Sequence, residues 1–239
     1  VQNREFVTHT GYYKGTRITA LSTGIGTDNI DIVLNELDAL VNIDLKSRTI
    51  KPERKSLNIV RIGTSGALQG DIPVDSFVAS SHGMGFDGLL NYYAGLDLCD
   101  QSAIAESFMN HAGWLKGLPY PYVVKASAEL HARIAFDMTS GITATAPGFY
   151  GPQGRQLRLA PALADLNEKL GSFRFGEHRV TNFEMETSAL YGLGTLLGHN
   201  CLTVCAIIAN RVARQYSKDY HPVIHKLIET VLERFAVKN

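Results

Sequence analysis

The stretch "CLTVCAIIA", Cys201 to Ala209, is an almost unbroken apolar run. A strand built from it has no face suited to water, so it belongs in a sheet covered by helices on both sides. After it, "HPVIHKLIETVLERFA" (221–236) is an amphipathic helix, and before it a helix is expected across 183–197. Further toward the N-terminus, "GITATA" (141–146), "SFVAS" (76–80), "LNIVRIG" (57–63) and "RITALS" (17–22) read as strands. The segments "SAELHARIAFDM" and "SAIAESFMNHAGWL" read as helices, as do residues near 160–170. Ile30, Val33, Leu34, Leu37 and Val41 also repeat at helical spacing, with Thr27 or Asp28 as the expected cap. This alternation predicts one α/β domain over 1–239, with a largely parallel central sheet and ligands where strands end.

Composition narrows the class. The 239 residues are 45% hydrophobic, enough to bury one sizeable core. Lys+Arg and Asp+Glu balance at 23 each, so no overall positive field gathers a nucleic acid. The basic stretch "KSRTIKPERK" (46–55) is short, interrupted by Pro52 and Glu53, and reads as a solvated connection. No apolar run is long enough for a membrane helix and the first residues lack a signal-peptide layout, so a cytoplasmic protein is expected. Cys99, Cys201 and Cys205 read as reduced structural thiols, and the histidines are too scattered for a metal site.

Three segments could carry chemistry. In "RIGTSGALQ" (61–69), Arg61, the hydroxyls of Thr64 and Ser65 and the N–H groups around Gly63 and Gly66 would suit a phosphate; an ordinary strand-to-loop turn is the alternative. In "TNFEMETSALYG" (181–192), Thr181 and Glu184 have capping-box spacing, and Glu186, in the first turn, could accept from the vicinal hydroxyls of a ribose or face solvent. In "GFYGPQGRQLR" (148–158), Phe149 offers a flat face, Gln153 a donor beside an acceptor, and Arg155 a fixed cation, a set matched to a pyrimidine imide edge unless the segment is a surface turn. The stretch "GIGTDN" (24–29) has Asn29 where a dinucleotide fingerprint needs glycine, and there is no Walker lysine.

In this order the motifs "REF" (4–6), "STGIG" (22–26), "RIGTSGA" (61–67), "FYGPQGR" (149–155), "NFEMET" (182–187) and "IIANR" (207–211) resemble the nucleoside phosphorylases of the trimeric and hexameric type, most closely the uridine phosphorylases. The resemblance implies a three-layer α/β/α fold around a mixed, partly barrel-like sheet. It implies that Arg61 and Thr64 bind phosphate, with Arg4 reaching the phosphate of a neighbouring subunit. It further implies that Glu184, Met185 and Glu186, with Thr64, hold the ribose, and that Phe149, Gln153, Arg155 and Ile208 surround the base. Arg61, Gln153, Arg155 and Glu186 are then the catalytic group.

The implied reaction is phosphorolysis of uridine to uracil and α-ribose 1-phosphate. Its ligands are a nucleoside and inorganic phosphate, without a cofactor, in a dimer-based homo-oligomer up to a hexamer. Some relatives bind a monovalent cation between subunits through the glutamate here at Glu5, although Asn29 replaces the usual serine. Purine-specific relatives carry an aspartate where this chain has Ala209, which disfavours a purine leaving group. The family's N-terminal strand and "G-D-P-x-R"-like phosphate loop have no counterpart in this sequence. The alternatives are a purine nucleoside phosphorylase or nucleosidase of the same superfamily, and a non-catalytic nucleoside-binding homologue.

Overall fold

The computed structural model describes residues 1–3 and 5–236. In chain order it contains β1 (Gln2–Asn3), β2 (Phe6–Tyr13), β3 (Thr16–Leu21), α1 (Thr27–Asn42), β4 (Ile43–Asp44), β5 (Thr49–Ile50), β6 (Asn58–Ala67), β7 (Phe77–Gly85), α2 (Ser102–Ala112) and β8 (Tyr122–Lys125). There follow α3 (Ala128–Ile134), β9 (Thr139–Thr145), α4 (Leu166–Ser172), β10 (Arg174–Phe175), β11 (His178–Glu184), α5 (Thr187–Leu197), β12 (Asn200–Asn210), β13 (Gln215–Tyr216) and α6 (His221–Ala236).

The fold is a three-layer α/β/α sandwich whose central sheet is mixed and curls into a partial barrel. Parallel pairs join β12 to β6, β7 to β9 and β9 to β11. Antiparallel pairs join β6 to β11 and β12 to β7, and the latter closes the ring β12–β6–β11–β9–β7. The largely parallel sheet expected from the alternation alone is thus corrected, because closing the ring brings strands of opposite direction together. Each of three strands takes an extra residue where it bends: Ser81 in β7, Thr181 in β11 and Ile208 in β12. Bulges of this kind increase local twist and let a short sheet curl.

The two larger of three hydrophobic clusters lie on the two faces. One gathers Ile30 and Leu34 of α1, Leu130 of α3, Leu190 and Tyr191 of α5 and Leu227 of α6 against Leu202, Val204 and Ala206 of β12. The other packs Ile104 and Phe108 of α2 and Leu166 and Leu170 of α4 against Ile142, Ala144, Val180 and Phe183. Strand β8 divides its residues between them by the two-residue period, Tyr122 and Val124 on one side and Val123 on the other.

A polar chain runs across four barrel strands. Ser80 and Thr143 share a hydrogen bond of 2.5 Å, Thr143 donates to Asn182 Oδ1 at 2.8 Å, and Asn182 Nδ2 donates to Ser65 at 2.8 Å. All four side chains are buried. Mutual pairing makes their burial tolerable, since a buried polar group without a partner costs about 1–3 kcal/mol.

Several local expectations are revised. Helix α1 begins after Gly26, with no side-chain cap from Thr27 or Asp28. The strand at 17–22 belongs to a separate antiparallel sheet with β1 and β2, which the alternation of strand and helix does not disclose. The connection at 43–57 carries the small β4–β5 hairpin and is largely exposed. No helix among the described residues is long and apolar enough to cross a membrane. The three cysteines are free and buried.

Replacing Asn182 tests the polar chain. Asn182→Ala is expected to lower unfolding free energy by about 2–4 kcal/mol in urea titrations, because Ser65 and Thr143 lose their partner. A loss under about 0.5 kcal/mol would show that the chain contributes nothing to barrel closure.

Candidate active site

Strand β11 ends at Glu184 and α5 starts at Thr187, so Glu184, Met185 and Glu186 occupy the corner between them. Thr181 is not a helix cap: it lies inside β11, where its hydroxyl donates to Ile142 O at 3.2 Å. Glu184 nonetheless serves the helix end. Its carboxylate accepts from the N–H of Glu186 at 3.0 Å and of Thr187 at 3.1 Å, and from the Thr145 hydroxyl at 2.7 Å. Glu186, the cap residue, accepts from Gly26 N–H at 2.7 Å. Gly26 is glycine for a reason: φ is 101°, and a Cβ there would lie 2.6 Å from Asp28 Oδ1.

Both carboxylates converge on Arg61. Its Nη1 lies 3.1 Å from Glu184 Oε2, and its Nη2 donates to Glu186 Oε2. Arg61 sits at the fourth position of β6, inside the strand rather than at a strand-to-loop turn, because residues as far as Ala67 pair with both β12 and β11. The motif's glycines therefore make room for side chains. A Cβ on Gly63 would come within 2.5 Å of the Arg61 guanidinium, and one on Gly66 within 3.3 Å of Arg211 Nε.

Electrostatics follow from this packing. Burial pushes Glu186 up to about 6; Arg61 opposes the shift and Glu184 adds to it. Burial also works against the charge on Arg61, but Glu184 and Glu186 more than reverse this and hold the guanidinium above its ordinary value. One cation faces two carboxylates. The cluster is therefore rich in acceptors when both are ionised.

The loop after β9 builds a second set of groups. Gln153 is 3% exposed, and its Oε1 accepts from Arg155 Nη1 at 2.7 Å and from Arg211 Nη2 at 2.5 Å. Two guanidinium donors on one atom fix the amide's sense: oxygen toward the arginines, with Nε2 left as a donor. Arg155 also donates to Phe149 O at 2.5 Å and lies 3.8 Å from the centroid of the Phe149 ring, which is 53% exposed. Burial and the nearby Arg155 bring Arg211 down to about 10, so it remains charged at neutral pH. Burial also lowers Arg155.

The two sets are linked. Arg211 immediately follows β12, lies 5.3 Å from the centroid of the Phe183 ring, and Phe183 precedes Glu184. Of the expected residues, the structure brings Arg61, Glu184 and Glu186 into one cluster and Phe149, Gln153 and Arg155 into another. Thr64 is half-buried in β6 opposite Ala206, Met185 is half-buried between the glutamates, and Ile208 is the extra residue of the β12 bulge. Arg4 lies outside the described residues. Sequence reasoning gave Arg211, Thr145 and Gly26 no role. Arg211 could have been found by position, as an arginine directly after a buried strand, but only barrel closure aims it at Gln153. No group of three or more His, Cys, Asp or Glu among the described residues is arranged to hold a metal.

A model of the Phosphorylase superfamily matches residues 1–236, and the chain belongs to that superfamily. A uridine phosphorylase from Thermococcus kodakarensis is 30% identical over 222 residues, covering 90% of this chain and 66% of the relative, so the chain spans just under two thirds of that protein's length. A DeoD-type purine nucleoside phosphorylase from Clostridium perfringens is 26% identical over 236 residues, covering 96% of this chain and 80% of the relative. Among solved structures, a Trypanosoma brucei nucleoside phosphorylase described as showing uridine phosphorylase activity is similar with a TM-score of 0.85 and 29% identity, covering 98% of this chain and 84% of that one.

The carboxylate pair makes a pH-dependent prediction. Glu186 is ionised above about 6 and protonated below it. Without Arg61, two buried carboxylates repel at high pH, whereas protonation of one relieves the repulsion at low pH. Arg61→Ala should therefore cost about 3–5 kcal/mol of stability at pH 8 and clearly less at pH 5, measured by denaturant unfolding. An equal loss at both pH values would contradict the pairing.

Proposed function

We propose that this chain carries the site of a nucleoside phosphorylase acting on uridine, releasing uracil and α-ribose 1-phosphate. The observation that carries the reading is the donor-only constellation of Arg155, Arg211 and the Gln153 amide nitrogen. It suits the carbonyl oxygens of a base that gains negative charge as it leaves; the expected pairing of a donor with a free acceptor on Gln153 is corrected, because both arginines occupy Oε1 and only Nε2 is left to face the base. Phe149 supplies a ring face beside it, and Ile208 an apolar wall.

In this reading the ribose hydroxyls donate to ionised Glu186, held by Gly26 N–H and Arg61, while Met185 packs against the sugar. The glycosidic C–N bond breaks with its electron pair passing to the base, and Arg155 and Arg211 stabilise the charge on the base carbonyls. Phosphate, already a competent nucleophile, forms the new C–O bond to the anomeric carbon, so no general base is required. Arg61 and Thr64 hold that phosphate. Because Arg61 faces two carboxylates, a dianion needs further positive charge, which gives Arg4 of a neighbouring subunit its place in the proposal. The working form is then a dimer-based homo-oligomer, up to a hexamer.

The absence of an acid at Ala209 supports a pyrimidine over a purine, whose departure benefits from protonation. The similarity to DeoD-type purine nucleoside phosphorylases favours a second reading, in which the same donors hold a 6-oxopurine.

The test is ultraviolet-monitored cleavage of uridine and of inosine, each with and without inorganic phosphate. Phosphate-dependent loss of uridine with inosine untouched is expected. Cleavage without phosphate would replace phosphorolysis by hydrolysis, and preferential cleavage of inosine would replace the uridine reading by the purine one. Arg155→Ala should lower kcat/KM for uridine about ten- to a hundredfold, the range for losing a hydrogen bond to a charged group, with little change in Tm.

A further inference from the structure

We infer that Asn167, in the first turn of α4, is a positioning residue that sets the orientation of the base-reading amide. The inference rests on the reading of Gln153 as a base contact given above. Asn167 Oδ1 accepts from Arg211 Nη1 at 3.1 Å, and its Nδ2 donates to the backbone oxygen of Gln153 at 3.2 Å. The same Arg211 Nη1 donates to Gln153 O at 2.8 Å, while Nη2 holds Gln153 Oε1 at 2.5 Å. An arginine can only donate and a carbonyl can only accept, so the sense of the Asn167 amide is fixed without ambiguity.

The arrangement solves a mechanical problem. Gln153 is buried, yet it stands on a loop whose residues are mostly exposed, between Pro147 and Asp165. Helix α4 is held to the core by Leu166 and Leu170, which are 4% and 0% exposed, on either side of Asn167 along the chain. Asn167 therefore carries the rigidity of the core to the loop, through Arg211 and through the Gln153 backbone. Gly154 permits the approach: its φ is 67°, and a Cβ there would meet Asn167 Nδ2 at 2.7 Å. A misplacement of the amide by an ångström would separate the donor from the base carbonyl, and such errors reduce rates well out of proportion to their size.

The predicted signature is a split. Asn167→Ala should raise KM for uridine and lower kcat/KM about five- to thirtyfold, less than the full worth of one neutral and one charge-assisted hydrogen bond because the Gln153 amide is displaced rather than removed, while KM for phosphate and Tm stay within about twofold and about two degrees. Asn167→Ser, whose hydroxyl can still accept from Arg211, should recover part of the loss. The decisive measurement is the cycle with Gln153→Ala. If Asn167 acts mainly through Gln153, most of the Asn167→Ala loss disappears in that background, leaving only the part that passes through Arg211. A full additional loss there, or an equal rise in both KM values, would overturn the positioning role. Unaltered uridine kinetics in Gln153→Ala itself would instead overturn the base-site reading, and the inference with it.

Discussion

One guanidinium held between two carboxylates organises this molecule. Arg61 stands inside a barrel strand, Glu184 ends another, and Glu186 opens the helix that follows. Charges at this depth are tolerated only when paired and hydrogen-bonded, so the cluster fixes the relative placement of the strands that carry it. Each carboxylate also has a backbone duty: Glu184 satisfies the first N–H groups of α5, and Glu186 takes the N–H of Gly26 ahead of α1. Two helix starts and two barrel strands thereby meet at one point. The proposed ribose contacts draw on the acceptors left in that cluster.

Curvature makes the meeting possible. Extra residues at Ser81, Thr181 and Ile208 bend three strands, and the hydrogen-bonded line Ser80–Thr143–Asn182–Ser65 fastens four of them from within. Because β12 bends at Ile208, Arg211 can turn back over Phe183 and reach Gln153. The acceptor cluster and the donor loop are therefore joined through β11 and β12, and the proposed function assigns a sugar to the first and a base to the second.

Much of this is legible in the sequence. The apolar run at 201–209, the strand leading into "RIGTSGA" and the amphipathic helix at 221–236 announce an α/β sheet, because burial on two faces leaves a compositional mark. The grouping of Phe149, Gln153 and Arg155 follows from one motif, whereas the motifs place Arg61 with a phosphate, and its pairing with Glu184 and Glu186 emerges only where the strands meet. What pattern reading missed needed the third dimension. Thr181 and Glu184 fit a capping box by spacing, but the strand runs through both, and Glu184 caps the helix from outside it. Strand β3 is read from "RITALS", but its pairing with β2 in a sheet apart from the barrel leaves no mark in the sequence. Arg211 and Asn167 acquire partners only through barrel closure and helix docking, which no local window contains.

The central claim is that the acceptor cluster and the donor loop hold the two halves of one ligand. A crystal structure of the protein with uridine and sulfate tests it most directly. The account predicts ribose hydroxyls on Glu186, the uracil carbonyls facing Gln153 Nε2 and Arg155, the ring against Phe149, and sulfate beside Arg61 and Thr64. A nucleoside seated elsewhere, or a base turned away from Gln153 with Glu186 still closed on Arg61 alone, would contradict it.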